Sequence, residues 1–183
     1  MSSEELLYLR KFNFMTGLPK LVVTDIDGVW TDGGMYYTES GDEFKRFNTY
    51  DSAGVVFCRL LGIPVAIITG EPSMAVKRRA EKLKIGFCYT GVTDKLVVLE
   101  GLCGELGISL SEVAYLGDDL NDMRVLPKVG YSACPASAPD YVKEMVTVVL
   151  TKKGGEGVFR EFVEGILEGN GVLAMLLDEH YRK

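Results

Sequence analysis

The sequence predicts an α/β fold, a doubly wound parallel sheet with helices on both faces and a β-hairpin flap. Three observations predict it. Short apolar runs rich in Val, Ile and Leu, at residues 21–24, 64–68 and 113–116, alternate with segments of helical length, the pattern of a parallel sheet with crossover helices. The runs lack polar alternation, as strands covered on both faces do. Finally, two of them end abruptly in carboxylates, Asp25 and Asp27 after the first and Asp118 and Asp119 after the third. Ligands of such sheets bind beyond the C-terminal ends of the strands.

Taken in order, residues 1–17 read as an amphipathic extension with a short helix after the cap Ser3. Residues 21–27 form a buried strand with acids at its tip. Residues 34–48, around the turn Glu-Ser-Gly-Asp, form the hairpin. Residues 51–62 are helical and 64–68 a second buried strand. Pro72 suits the first turn of a helix running to about residue 84. A strand at 86–89 precedes a helix at 94–106, which Gly107 ends. Then follow a strand at 113–116, a helix at 119–128, a strand at 130–133, a helix at 139–145, a strand at 146–150 and a helix at 156–167. One domain spans 18–168, with 1–17 an extension and 169–183 a C-terminal tail.

Composition excludes several functions. A chain of 183 residues that is 47% hydrophobic can bury a single sizeable core. A formal charge of −6 argues against a general nucleic-acid binder, and no apolar run is long enough for a membrane-spanning helix. The N-terminal segment lacks a signal-peptide apolar core. Cys58, Cys88, Cys103 and Cys134 show neither a CxxC pair nor zinc-ligand spacing; they read as reduced core thiols of a cytoplasmic protein. The single histidine, His180, stands near the C-terminus. Catalytic triads, Cys-His dyads and multi-histidine metal sites are thereby disfavoured, and acid–base chemistry falls mainly to carboxylates, Lys, Tyr or Cys.

Four segments carry chemistry. In TDIDGVWTDGG, residues 24–34, two aspartates two apart can face one crevice if the chain turns at Gly28. One carboxylate can then attack phosphorus and bind a metal, while the other exchanges protons with leaving group and water. An EF-hand loop is excluded, because Val29 and Tyr36 stand where oxygen ligands belong. Residues 68–71, ITGE, put a hydroxyl and a small residue where a phosphoryl oxygen can be held. Lys95 opposes the dipole at a helix start and is mildly misplaced for stability; by itself it reads as a solvated lysine or as a cation that neutralises an aspartyl-phosphate. LGDDLND, residues 116–122, sets three acids within five residues; hard oxygen ligands suit Mg2+, and an N-cap accounts for only one of them.

The ordered set Asp-x-Asp, Thr-Gly, Lys, Gly-Asp-Asp resembles the motif series of the haloacid dehalogenase superfamily over about residues 20–165. The resemblance implies a Rossmann-like fold and a phosphatase working through an aspartyl-phosphate. Asp25 is then the nucleophile and Asp27 the general acid/base. Thr69 is the phosphate-binding hydroxyl and Lys95 the neutralising cation. Asp25, the Asp27 carbonyl and Asp118 hold Mg2+, with Asp119 and Asp122 supporting them. Neither gap between the motifs can hold a cap domain. This resembles the capless subfamily of phosphatases for 3-deoxy-octulosonate 8-phosphate (KDO 8-phosphate) and 2-keto-3-deoxynononate 9-phosphate (KDN 9-phosphate).

Residues 47–54 and 70–82 resemble the KDN branch, which implies that Gly70, Glu71, Arg79 and Lys82 face the sugar acid. The KDO branch, or an N-acetylneuraminate 9-phosphate phosphatase, is the alternative. From another class, a non-catalytic oligomerisation module is also open. The subfamily forms homotetramers, and Tyr36, Tyr37, Phe44 and Phe47 suit the hairpin to assembly. Residues 152–161 resemble a C-terminal family motif that reaches a neighbour's site.

Overall fold

The computed structural model describes residues 17–182; apart from Gly17, the expected extension 1–17 lies outside the described residues. Six strands build the main sheet: β1 (Leu21–Thr24), β4 (Val65–Ile68), β5 (Phe87–Tyr89), β6 (Val113–Leu116), β7 (Tyr131–Cys134) and β8 (Val148–Val149). They lie in the order β5-β4-β1-β6-β7-β8, and every pair is parallel. A separate antiparallel pair, β2 (Tyr36–Tyr37) with β3 (Glu43–Phe44), forms the hairpin.

Strand periodicity divides the core between the two faces. Val22, Val65, Ile67, Ala114 and Leu116 pack on one face with Val55 of α1 (Asp51–Leu60), Val76 of α2 (Met74–Leu83), Phe162 of α5 (Val158–Gly169) and Leu176 of α6 (Leu173–Tyr181). Leu21, Val23, Ala66, Ile68 and Tyr115 pack on the other with Leu99 of α3 (Lys95–Leu106) and Val142 of α4 (Asp140–Lys143). Each fully buried Leu, Ile or Val contributes about 1.5–3 kcal/mol, which is why these strands carry no polar alternation.

The chain leaves β1 toward β4 and β5, then returns across it to β6, so β1 lies at the topological switch point. Register places Thr24 beside both Ile67 and Leu116. Asp25, Thr69 and Asp118 therefore emerge within one or two residues of the same level. Only the hairpin and α1 stand between β1 and β4, so no cap domain occurs there among the described residues.

Several boundaries differ from expectation. The helix expected at 119–128 is a single 3-10 turn, Leu120–Asp122, followed by turns. Asp122 folds back to accept from its own N-terminal backbone, and Pro127 then disfavours the helical conformation of Leu126. Pro72 lies before the N-cap Ser73 of α2 rather than in its first turn. The strand expected at 146–150 shortens to two residues at the sheet edge. The expected tail 169–183 contains α6, whose Leu173 and Leu176 are buried in the core. The four cysteines are free thiols, three of them buried.

Candidate active site

The loop after β1 is folded tightly. The Asp25 N–H donates to the Leu116 carbonyl at 2.9 Å, and the N–H groups of Val29, Trp30 and Thr31 all converge on the Ile26 carbonyl. Gly28 has φ +80°, and a Cβ there would lie 1.9 Å from Asp118 Oδ2. Glycine is thus required both by conformation and by the carboxylate above it. Trp30, fully buried, donates through Nε1 to Thr24 Oγ1 at 3.0 Å and lies 4.8 Å from the Phe159 ring. These contacts fix the direction in which Asp25 and Asp27 point.

Lys95 is buried with 1% exposure. Its ammonium donates to Asp25 Oδ2 at 2.6 Å and to Asp122 Oδ1 at 2.8 Å. The other oxygen of Asp25 accepts from the Ile26 N–H at 2.7 Å. Asp122 takes four donors: Lys95 and Tyr115 Oη (2.6 Å) on Oδ1, and the N–H groups of Asp118 (2.9 Å) and Asp119 (3.2 Å) on Oδ2. That carboxylate occupies the place of a side chain at Gly117, where a Cβ would sit 2.4 Å from Asp122 Cγ.

Oxygens of Asp25, Asp118 and Asp122 lie within 4.8 Å of one another. One ammonium thus faces three carboxylates. Burial, then the Asp122 carboxylate, push Asp25 up to about 6 against the pull of Lys95. Burial, then Asp25 and Asp122, push Asp118 up to about 8. Asp118 Oδ1 is buried with no hydrogen-bond partner among the described residues. A hard divalent cation such as Mg2+ fits this deficit of positive charge, with Asp25 and Asp118 as the carboxylates still able to ligate and Asp122 already saturated.

Asp27 Oδ1 accepts from Lys45 Nζ at 2.6 Å, with Thr31 Oγ1 at 3.5 Å. Lys45 also pairs with Glu43 at 3.0 Å. Sequence reasoning missed Lys45. A signal was available: two-residue spacing places Glu43 and Lys45 on one face of a hairpin strand.

The remaining candidates divide. Thr69 is buried at the end of β4, its backbone held by Tyr89 and Val92. Gly70 faces the Asn121 amide and Glu71 is exposed. Arg79 donates to the Asn48 carbonyl at 3.3 Å and stacks over Phe47 at 5.9 Å. Arg79 and Lys82 line a groove of about 750 Å³ between hairpin and α2, which also includes Phe44, Lys45 and Met74. Asp119 is exposed and caps the N–H of Leu120, apart from the three clustered carboxylates. Gly154 and Gly155 press on their own chain's β1 loop. A Cβ at Gly154 would meet the Gly28 carbonyl oxygen at 2.0 Å, and the Gly155 N–H donates to Val29.

Comparison with known proteins shows the family. The model of the haloacid dehalogenase-like hydrolase family matches residues 89–162. The 3-deoxy-D-manno-octulosonate 8-phosphate phosphatase of Haemophilus influenzae is 36% identical over 152 residues, 83% of this chain and 84% of that protein. This chain belongs to the haloacid dehalogenase-like hydrolases, in the capless subfamily of KDO 8-phosphate phosphatase type. A probable YrbI family phosphatase from Pseudomonas syringae superposes with TM-score 0.88 at 40% identity, covering 95% of this chain and 97% of that one. The KDO 8-phosphate phosphatase of Moraxella catarrhalis, solved with magnesium, phosphate and KDO, gives TM-score 0.87 at 34% identity, with 97% and 99% covered.

Proposed function

We propose that the protein is a Mg2+-dependent phosphomonoesterase that hydrolyses a phosphorylated 2-keto-3-deoxy sugar acid through a phospho-Asp25 intermediate. The observation that carries this reading is the buried Asp25–Lys95–Asp122 chain beside the unpartnered Asp118 oxygen at the switch point. Phosphoryl transfer asks chiefly for positioning and charge neutralisation, and this cluster supplies both.

In the mechanism, Asp25 attacks phosphorus while Lys95 holds one of its oxygens and offsets the charge arriving with the phosphate. Thr69 binds a phosphoryl oxygen. Asp27 protonates the leaving alkoxide, then takes a proton from water as the aspartyl-phosphate is cleaved. Asp25, Asp118 and the Asp27 carbonyl would hold Mg2+, which when bound would supply Lewis-acid neutralisation of the phosphate. Asp122 orients Lys95 and the backbone of Asp118. Asp119 lies further out.

For the substrate we favour nine-carbon KDN 9-phosphate, with KDO 8-phosphate the alternative. Tyr50-Asp51-Ser52 and Gly70-Glu71 support the longer sugar, as do Arg79 and Lys82 in the groove between hairpin and α2. The curated relatives' names support the shorter one. Phosphate release with Mg2+ decides between them: kcat/KM higher for KDN 9-phosphate is the expected result, and the reverse order would assign the chain to KDO 8-phosphate. The 18–168 unit is the catalytic domain, with α6 of the C-terminal segment packed into its core, and the protein works as a homotetramer in the cytoplasm.

A further inference from the structure

Asp27 has two unequal oxygens. Oδ1 is tethered by Lys45 at 2.6 Å, with Thr31 Oγ1 further off at 3.5 Å. Oδ2 is buried and has no hydrogen-bond partner among the described residues. The Lys45 side chain has 0% exposure, unusual for a lysine on a hairpin whose other side chains are largely in solvent. We infer that Lys45 is a positioning residue for Asp27: it holds Oδ1, so that Oδ2 is the oxygen that moves the proton, and the hairpin must be seated on the β1 loop for that transfer to occur.

This inference rests on the acid/base reading of Asp27. In the first step an Asp25 oxygen bonds to phosphorus as the ester P–O bond breaks, and the Oδ2 proton passes to the ester oxygen, which leaves as the alcohol. In the second, a water oxygen bonds to phosphorus and its proton goes to Oδ2. The bond between phosphorus and Asp25 breaks, releasing inorganic phosphate and restoring both carboxyls. Both steps use the same oxygen in the same place. The terminal torsion of an Asp is broad and two-fold, so an untethered carboxyl would exchange its oxygens between steps.

The surroundings of Lys45 favour a tether over a substrate-binding cation. An ammonium has three donors, and Lys45 directs its ammonium to Asp27, to Glu43 at 3.0 Å and to Met35 Sδ at 3.7 Å. Its charge is thus engaged within the chain, by two hydrogen bonds and one ion pair. Glu43 pairs with the same ammonium, so the charge of Lys45 is compensated within the hairpin.

The test compares wild type, Lys45→Met and Lys45→Arg, full length and with Mg2+, on a sugar-acid phosphate and on p-nitrophenyl phosphate. The sugar ester has a poor leaving group that needs the acid; p-nitrophenolate leaves without it. Expected for Lys45→Met is a fall of roughly 10²-fold in kcat for the sugar ester with KM near wild type. The pre-steady-state burst of p-nitrophenol should persist ahead of a slowed steady phase, because only the second step then needs Asp27. Lys45→Arg should recover part of the loss. A raised KM with unchanged kcat would make Lys45 a binding cation and overturn the inference. So would unchanged kinetics, or a burst lost in proportion to a lowered melting temperature. Asp27→Asn, run alongside, separates the failures: if it keeps the wild-type kcat on the sugar ester, the acid/base reading falls; if it loses that turnover while Lys45→Met is normal, only this inference falls.

Discussion

Lys95 and Asp51 are both charged, buried residues at the first position of a helix, and they do different work. Lys95 stands at the positive end of the α3 dipole, where a cation is disfavoured, and is held there by Asp25 and Asp122. Burial alone would lower its pKa, but those two carboxylates raise it, so it remains a cation. Asp51 stands where an anion is favoured twice over, at the start of its own helix and against the start of α5, where it accepts from the Arg160 N–H at 3.2 Å. Burial nevertheless lifts Asp51 from 3.8 to about 6, against the Arg160 and Phe159 N–H groups and the charges of Arg79 and Lys152. A carboxyl whose pKa is higher folded than unfolded binds its proton more tightly in the fold. Its contribution is therefore intact below about pH 4, is lost as pH rises from about 4 to 6, and stays lost above. Asp51→Asn keeps the acceptor and removes the charge. Its stability relative to wild type, from urea denaturation, should rise by about 2–3 kcal/mol between about pH 4 and 7. Parallel pH profiles for the two proteins would contradict this origin of the shift.

At the scale of elements, what was legible was what local pattern encodes. The buried strands show as unbroken apolar runs, and α3 shows by its cap Asp94 and its end at Gly107, φ +65°. The turn at 119–128 was not legible, because it is governed by Asp122 bonding backward rather than by helical spacing. The helix α5, expected from 156, starts two residues later: its N-cap Gly157 has no side chain to offer, and Asp51 supplies an acceptor to the Arg160 N–H from 109 residues earlier. The contact of Lys45 with Asp27 is tertiary in the same way, since spacing shows which face a residue takes but not what meets that face. The hairpin is legible and yet incomplete. Its strands are two residues each, and Tyr36, Tyr37 and Phe44 are 49%, 65% and 58% exposed. An isolated short hairpin is marginal in water, and aromatics so placed suit an interface. Sedimentation should therefore find a tetramer, and replacing Tyr37 and Phe44 with Ser should shift it toward monomer. A monodisperse wild-type monomer would remove the assembly role.

For the whole molecule, the topology explains why distant motifs act together. Reversal of strand order at β1 opens one crevice where the ends of β1, β4 and β6 meet, and the sequence places Asp25, Thr69 and Asp118 at those three ends. The Gly154–Gly155 segment closes the loop from behind through contacts that only glycine permits. A chain with a formal charge of −6 can receive a phosphate here because the crevice concentrates Lys95 and a cation site against its own carboxylates. The central claim is that Asp25 forms the bond to phosphorus. It is tested most directly by phosphate release from the sugar-acid phosphate, with Mg2+, by Asp25→Asn protein whose circular dichroism and melting match the wild type. No measurable turnover is expected; turnover at a substantial fraction of the wild-type rate would mean that another group attacks phosphorus.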